Sequence, residues 1–255
     1  MFIRSEFPIL EFDTDKNAKL NPTAFASEPF DCDKMIITFF PEVIVKLLDR
    51  EEIVFERRIP GENPIDVFRF IDSDVLIVLG YVGCPACAGD LDLFNAMGIQ
   101  KVMFCGGGGV LDRNIEVGQI LLVDGAIRDE GFSFHYLPAG RVVNANPAVN
   151  EKIAAYLDSC GIPYLRGLTW TTDAIFRETA DRIAARKEEG AKIVEMEQSG
   201  CLSVAQFRGF DYGAIISGGD DVSQKEWTNR GWRSASREGI RYNLVLLCRE
   251  LVEIL

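Results

Sequence analysis

The sequence predicts an α/β fold, and three observations carry that expectation. Val75–Leu79, reading Val-Leu-Ile-Val-Leu, is a continuous apolar run with the length and composition of a fully buried strand. Leu91, Phe94 and Met97 then form a helical stripe, and a second apolar run, Val102–Cys105, follows directly. Further on, the apolar Ile193 and Val194 stop at Glu195. Cys201, Leu202, Val204, Ala205 and Phe207 then recur at helical spacing. Alternating strand, helix and strand make a parallel, right-handed unit.

The elements follow in order. Lys34–Arg69 predicts one helix, Pro41–Arg50, and short strands that cover the sheet or supply a subunit interface. Gly80–Gly83 is the exit loop of the Val75 strand. Pro85 suits a first helical turn, and that helix ends at Gly98. The Val102 strand turns into four consecutive glycines, Gly106–Gly109, and Ile120–Val123 is the next strand. Asn150–Cys160 is a helix, with Gly161 at its end and Pro163 just beyond. Thr179–Gly190 is a charged, exposed helix and Gln198–Arg208 a second one. Tyr212–Ile216 is a strand, and Ser236–Leu255 is an amphipathic C-terminal helix. With no internal repeat and no low-complexity linker, residues 1–255 read as one domain.

Composition narrows the function. At 255 residues and 47% apolar, the chain can bury a sizeable core. No run of 18 apolar residues exists, so no membrane span is expected, and Met1–Leu20 has no apolar signal core. The net charge of -12 argues against a nucleic-acid surface but allows a small anion in a locally basic pocket. Seven cysteines, an odd count without regular spacing, read as reduced thiols in a cytoplasmic protein. Cys84-Pro85-Ala86-Cys87 has three readings: a redox pair at a helix start, half a zinc site with Cys105, or small thiols packed under a ligand loop. The single histidine, His135, leaves no His-rich metal site.

Three stretches carry candidate chemistry. In a strand, Glu195 and Glu197 point to one face and Met196 to the other. Carboxylates only accept hydrogen bonds, so a cis-diol is a natural partner, and a charged strand edge is the alternative. Gly106–Gly109 is backbone without side chains, able to cradle an anion or to make a tight turn. It lacks the Lys-Ser/Thr of a Walker loop and the spacing of a dinucleotide fingerprint. Asp220 and Asp221, after the Tyr212 strand, form either a solvated turn or a general acid site.

Taken in order, these segments resemble the nucleoside phosphorylase family, the group with uridine phosphorylase and bacterial purine nucleoside phosphorylase. Ile193–Gly200 resembles its Glu-Met-Glu signature, and Gly106–Val123 its glycine-rich phosphate loop and following strand. Ala126–Pro138 resembles the next segment, and Gly167–Thr179 the loop that closes over the base. With Val75–Pro85 and Ser217–Asp221, the likeness covers roughly Val75 to Leu255, and residues 1–70 match poorly. It implies a three-layer αβα sandwich around a mixed central sheet.

The resemblance also implies roles. Glu197 would accept from the ribose hydroxyls, Met196 would pack beneath the sugar, and Glu195 would be structural or touch the ribose edge. Asp220 would protonate the leaving base, with Asp221 in play one residue on and Arg233 as the activating arginine. Gly106, Gly107, Gly108 and Gly83 would bind phosphate. Phe176 would stack on the base and Arg177 would read it, while His135 is structural. Inorganic phosphate is the co-substrate, with no metal and no organic cofactor, and the protein would be a homo-oligomer. The uridine members' Gln aligns with Thr179, so purine is the implied base.

The chain departs from the family at the anion site. Phe104 and Gly107 stand where phosphorylases usually carry an Arg and a Thr, and the N-terminal Gly-Asp-Pro segment with its Arg is unmatched. Arg57, Arg58 and Arg69 are replacements by charge alone. The expected activity is phosphorolysis of a ribonucleoside to base and ribose 1-phosphate. The rivals are a nucleosidase on the same fold, a non-catalytic nucleoside-binding protein, and a thiol or zinc protein built on Cys84 and Cys87. Trp227, Arg230 and Trp232 form a lid or a packed surface loop.

Overall fold

The computed structural model spans the chain and describes every residue except Ser27. A short hairpin pairs β1 (Phe2–Ile3) with β2 (Phe12–Asp13), and one helical turn, α1 (Pro22–Phe25), follows. Then come β3 (Lys34–Thr38), α2 (Pro41–Asp49), β4 (Ile53–Ile59), β5 (Ile65–Phe70), β6 (Leu76–Leu79) and α3 (Cys84–Ala96). The middle holds β7 (Lys101–Val110), β8 (Ile120–Asp129), β9 (Val142–Asn144), α4 (Pro147–Ser159) and β10 (Tyr164–Thr172). The chain closes with α5 (Ala180–Glu188), β11 (Ala191–Glu195), α6 (Gln198–Arg208), β12 (Asp211–Asp221) and α7 (Glu238–Glu253).

The helices start where the sequence offers a start. Proline stands in the first turn of α2, α3 and α4, where a missing N–H costs nothing. The Asn146 side chain caps α4 by accepting from the Ala148 N–H. Gly209, with φ 88°, ends α6.

The main sheet runs β11-β10-β8-β12-β7-β3-β6-β5-β4, with β9 attached to β8. It is mixed: β3 is parallel to both β6 and β7, and β7 to β12, whereas β12 and β8 are antiparallel. Cys87, Leu91 and Phe94 of α3 and Cys201, Leu202 and Val204 of α6 pack on one face. Val43 and Leu47 of α2, Val149 and Ile153 of α4, and Val245 and Leu251 of α7 pack on the other. The expected three-layer αβα sandwich is therefore what the chain forms. Residues 34–70 are integral to it, because β3 lies inside the sheet between β6 and β7.

One feature goes beyond an open sheet. The far end of β11 pairs back onto β7, Val194 opposite Gly109 and Ile193 opposite Val110. The strands β11, β10, β8, β12 and β7 therefore close on themselves as a ring. Closure requires a long β7, so Gly106–Gly109 is strand and not a loop. The expected breaks after Cys105, Val123 and Ile216 are absent for this reason: each strand continues because neighbours pair with it. Likewise Gly167–Thr172, expected in a loop, belongs to β10, and only Ile175–Arg177 beyond it forms a 3-10 turn.

The glycines make the closure possible sterically. A Cβ on Gly108 would lie 2.5 Å from both the Val194 carbonyl oxygen and Ile193 Cγ2. We expect Gly108→Ala to push β11 off β7 and to cost about 2–3 kcal/mol of stability. Gly89→Ala, inside α3 with no atom within 4 Å of its Cβ, should instead stabilise by about 0.5–1 kcal/mol. Urea unfolding midpoints of the two variants check both signs.

Candidate active site

The ends of β6, β7, β11 and β12 supply the site, and a buried carboxylate organises it. Glu195, the last residue of β11, accepts from the Thr171 hydroxyl at 2.5 Å, the Glu197 N–H at 2.6 Å and the Gln198 N–H at 2.7 Å. Two of these donors belong to the start of α6, where helix N–H groups have no intrahelical partner. Thr171 extends the network by accepting from the Ser199 N–H at 3.0 Å. Burial pushes the Glu195 carboxyl up, and these hydrogen bonds pull it back, so Glu195 carries the charge of the pair. Its oxygens accept from protein donors on β10 and at the start of α6.

Glu197 lies beyond the strand. Its φ of -130° and ψ of -32° place it at the cap of α6, so the strand-face argument ends at Glu195. Its Oε1 accepts from the Gly83 N–H at 2.8 Å, and its Oε2 from the Met196 N–H at 3.3 Å. The residue is 6% exposed. Burial, then the Glu195 charge, push its carboxyl up to about 8. Met196 is half-buried beside it. Gly83 was expected at the phosphate, but its N–H is taken by Glu197. It caps α3 at φ 98° and ties the start of α3 to that of α6.

The phosphate expectation on Gly106, Gly107 and Gly108 takes a different form. The register of β7 with β3 ends at Cys105 opposite Thr38, and its register with β11 begins at Gly109. Between these points the three glycines pair with β12 alone. Their other edge pairs with no strand; Gly107 is exposed and Gly108 half-buried there, while Gly106 is buried. The Ser217 hydroxyl donates to the Gly106 carbonyl at 3.1 Å and steadies this stretch.

None of the three arginines named as replacements reaches the glycines. Phe104 is 2% exposed, and its ring covers Gly106, whose added Cβ would meet Phe104 Cε1 at 2.9 Å. Phe39 lies against it, with ring centroids 5.1 Å apart. Arg57 donates to the Glu28 carbonyl, Arg58 is paired with Asp66, and Arg69 with Glu56 and Asp31. All three sit on β4 and β5, separated from β7 by β6 and β3.

On the base side, the Asp220 carboxylate is half-buried, and its Oδ2 accepts from Trp227 Nε1 at 2.6 Å. A Cβ on Gly109 would lie 3.6 Å from that Oδ2, so Asp220 stands over the point where β11 joins β7. Asp221 does not share the site. It is buried, its carboxylate accepts from the Ser223 N–H and hydroxyl, and its backbone pairs with Thr228. Arg233, expected as the activating arginine, is exposed. Arg230, at φ 47°, is the arginine held at this end, donating to the Gly219 and Ile115 carbonyls. Phe176 is 97% exposed and Arg177 is exposed, so neither is brought onto the carboxylates in this conformation. Trp227 is exposed, whereas Trp232 is buried against Phe40 and Gly107, so only part of that segment is free to act as a lid.

Sequence reasoning passed over Glu178. It is half-buried at the end of the Ile175–Arg177 turn. Burial, then the Asp220 charge, push its carboxyl up to about 7, and Arg182 pulls the other way. Its position next to Phe176 and Arg177 was the one available signal.

The cysteines follow the packing reading. Cys84 Sγ lies 3.5 Å from the Glu197 carbonyl, and Cys87 Sγ 3.7 Å from Cys201 Sγ. The Cys201 contact and burial push the Cys87 thiol up, and burial does the same for Cys84. That is the opposite of an activated thiolate. Cys105 pairs with Cys248 rather than with the Cys84 turn. Among the described residues, no group of three His, Cys, Asp or Glu side chains is placed to hold a metal ion.

Comparison with known proteins finds relatives in sequence and in fold. A guanosine phosphorylase of Halorubrum lacusprofundi is 27% identical over 178 residues, 68% of this chain and 71% of that protein. The fold matches purine nucleoside phosphorylase from Toxoplasma gondii in complex with immucillin-H, with a TM-score of 0.70, 17% identity, and 91% of this chain and 94% of that one covered. It also matches a futalosine hydrolase mutant of Helicobacter pylori strain 26695, with a TM-score of 0.70, 19% identity, and 88% and 100% covered. The family profile of the phosphorylase superfamily matches residues 34–240, beginning well ahead of Val75. The chain belongs to the phosphorylase superfamily.

Proposed function

We propose that the protein cleaves the N-glycosidic bond of a purine ribonucleoside by phosphorolysis, giving free base and ribose 1-phosphate. The observation that carries this reading is the strand edge at Gly107 and Gly108, which pairs with β12 alone, with the half-buried Asp220 beside Gly109 and the buried Glu197 carboxyl at the start of α6. Superfamily membership and the guanosine phosphorylase relative support the reaction class and favour a purine.

In this reading Glu197 accepts from the ribose hydroxyls and holds the sugar while C1′ gains positive charge, with Met196 beneath it. Asp220 protonates the base, so that the electron pair of the breaking C1′–N bond leaves on a neutral purine. A phosphate oxygen then bonds to C1′ along the glycine edge. Backbone N–H groups would face the anion there. The scheme uses no metal and no organic cofactor. We also propose a cytoplasmic homo-oligomer. Among the described residues, no helix is long and apolar enough to cross a membrane.

A specific observation favours a second reading, hydrolysis. Phe104 and Phe39 fill the space where an arginine would neutralise phosphate, and water needs no such cation. Base release from guanosine and inosine, with and without inorganic phosphate, separates the two. We expect release to require phosphate and to yield ribose 1-phosphate. Equal release without phosphate would replace phosphorolysis by hydrolysis.

The buried Glu197 gives a second test. The folded protein keeps its proton up to about pH 8, while the unfolded chain ionises near the ordinary 4.5. The native state therefore binds more protons across that window, and stability falls as pH rises through it. Glu197→Gln cannot ionise. We expect it to melt about 5 °C above the wild type at pH 8, with the difference vanishing below the ordinary carboxyl range. It should also lose roughly 100-fold in kcat/KM. Thermal unfolding against pH, paired with steady-state rates, checks both effects.

A further inference from the structure

We propose that the Trp232 indole N–H donates a hydrogen bond to the phosphate that attacks C1′, an inference that deepens the phosphorolysis reading above and rests on it. The chain has three tryptophans. Trp170 Nε1 donates to Asp129 Oδ2 at 2.9 Å, and Trp227 Nε1 donates to Asp220 Oδ2 at 2.6 Å. Both of these donors are engaged by anionic oxygens. Trp232 is 8% exposed, and among the described residues its Nε1 has no hydrogen-bond partner. An indole N–H can only donate, and a buried donor without an acceptor is unfavourable. A bound acceptor explains such an atom.

The position of the ring identifies that acceptor. A Cβ built on Gly107 would lie 2.8 Å from Trp232 Nε1, and one on Gly219 would lie 3.1 Å from Trp232 Cδ1. The indole therefore lies over the paired strands β7 and β12, beside Gly107. Gly107 is exposed, and there β7 pairs with β12 alone. Gly109 is two residues further along β7 and shares the face of the strand that Gly107 presents. Its own added Cβ would lie 3.6 Å from Asp220 Oδ2. The indole N–H and the base-side acid thus follow one another along one face of β7. A donor beside unpaired strand backbone suits the ionised oxygens of phosphate, which only accept. The ribose hydroxyls find their acceptor in Glu197 instead.

The donor is fixed before any ligand arrives. The Trp232 backbone N–H donates to the Asn229 carbonyl at 3.0 Å, and the Trp232 carbonyl accepts from Arg241 Nη1 at 2.5 Å. The Arg241 guanidinium lies 5.6 Å from the ring centroid, and Phe40 meets the ring edge-on at 6.0 Å between centroids. A donor already held in place loses little freedom on binding. Gly107 is part of the same device, because any side chain there would collide with the indole.

The test compares wild type and Trp232→Phe in base release from guanosine, with phosphate varied. Phenylalanine keeps an apolar ring against Phe40 and removes the N–H. We expect the KM for phosphate to rise about tenfold, the scale of one hydrogen bond to a charged partner. The KM for guanosine should stay within about twofold. A direct readout uses the wild type labelled with 15N in its tryptophans. Of the three indole N–H signals, the one absent from Trp232→Phe should move downfield as inorganic phosphate is added. Should that variant fail to fold, Trp170→Phe and Trp227→Phe assign the other two signals and leave that of Trp232. A Trp232 signal unmoved at phosphate concentrations that saturate the rate would overturn the proposal. So would an equal rise in both KM values, because that marks a loosened site and not a lost donor. If base release by the wild type does not depend on phosphate, the phosphorolysis reading itself falls, and the inference with it.

Discussion

The arrangement depends on one buried carboxylate accepting the first N–H groups of a helix. Glu195 ends β11, takes the N–H groups of Glu197 and Gln198, and reaches sideways to Thr171 of β10. Those donors would otherwise be orphaned in a dry interior, where an unmade hydrogen bond is costly. The same contact sets the direction in which α6 leaves the sheet, and so where Glu197 sits. A charge fixed there also raises the proton affinity of Glu197. A capping interaction and a candidate ribose contact are thus parts of one electrostatic unit.

The anion side shows a different balance. In the strand β7, glycine is required because strands and rings approach too closely for a Cβ at Gly106, Gly107 or Gly108. The same absence of side chains leaves an edge of bare backbone. Packing and recognition therefore call for the same residue type at the same positions. Phe104 and Phe39 show that the protein fills the neighbouring volume with aromatic surface instead of charge.

Much of this was legible in the amino-acid order. The Val75 and Ile193 strands, the helices that follow them and the three layers come from apolar periodicity, which reports burial directly. Glu197 and Asp220 were legible because acids at strand ends next to helix or loop starts are few. The lengths of β7, β8 and β12 were not, because their last residues are glycines and acids whose strand state comes from neighbours on either side. Asp221 and Arg233 could not be separated from Asp220 and Arg230 without knowing that Asp221 closes its own turn and that Arg230 is bonded to two carbonyls. Glu178 stayed hidden because its raised carboxyl comes first from burial and then from Asp220, forty-two positions later in the chain.

The return of β11 onto β7 has a mechanical consequence. An open sheet can twist, and its strand ends drift relative to one another. A sheet closed into a ring resists that deformation, because displacing any strand strains every pairing around the circuit. Asp220 stands beside the joint of β11 and β7, and Glu197 follows the end of β11 by two residues, so the frame holds both chain segments. The Ile175–Arg177 turn and Trp227 lie outside it, on exposed chain. Changes in the outer pieces can therefore alter the surface around the strand ends while the ring beneath them keeps its shape.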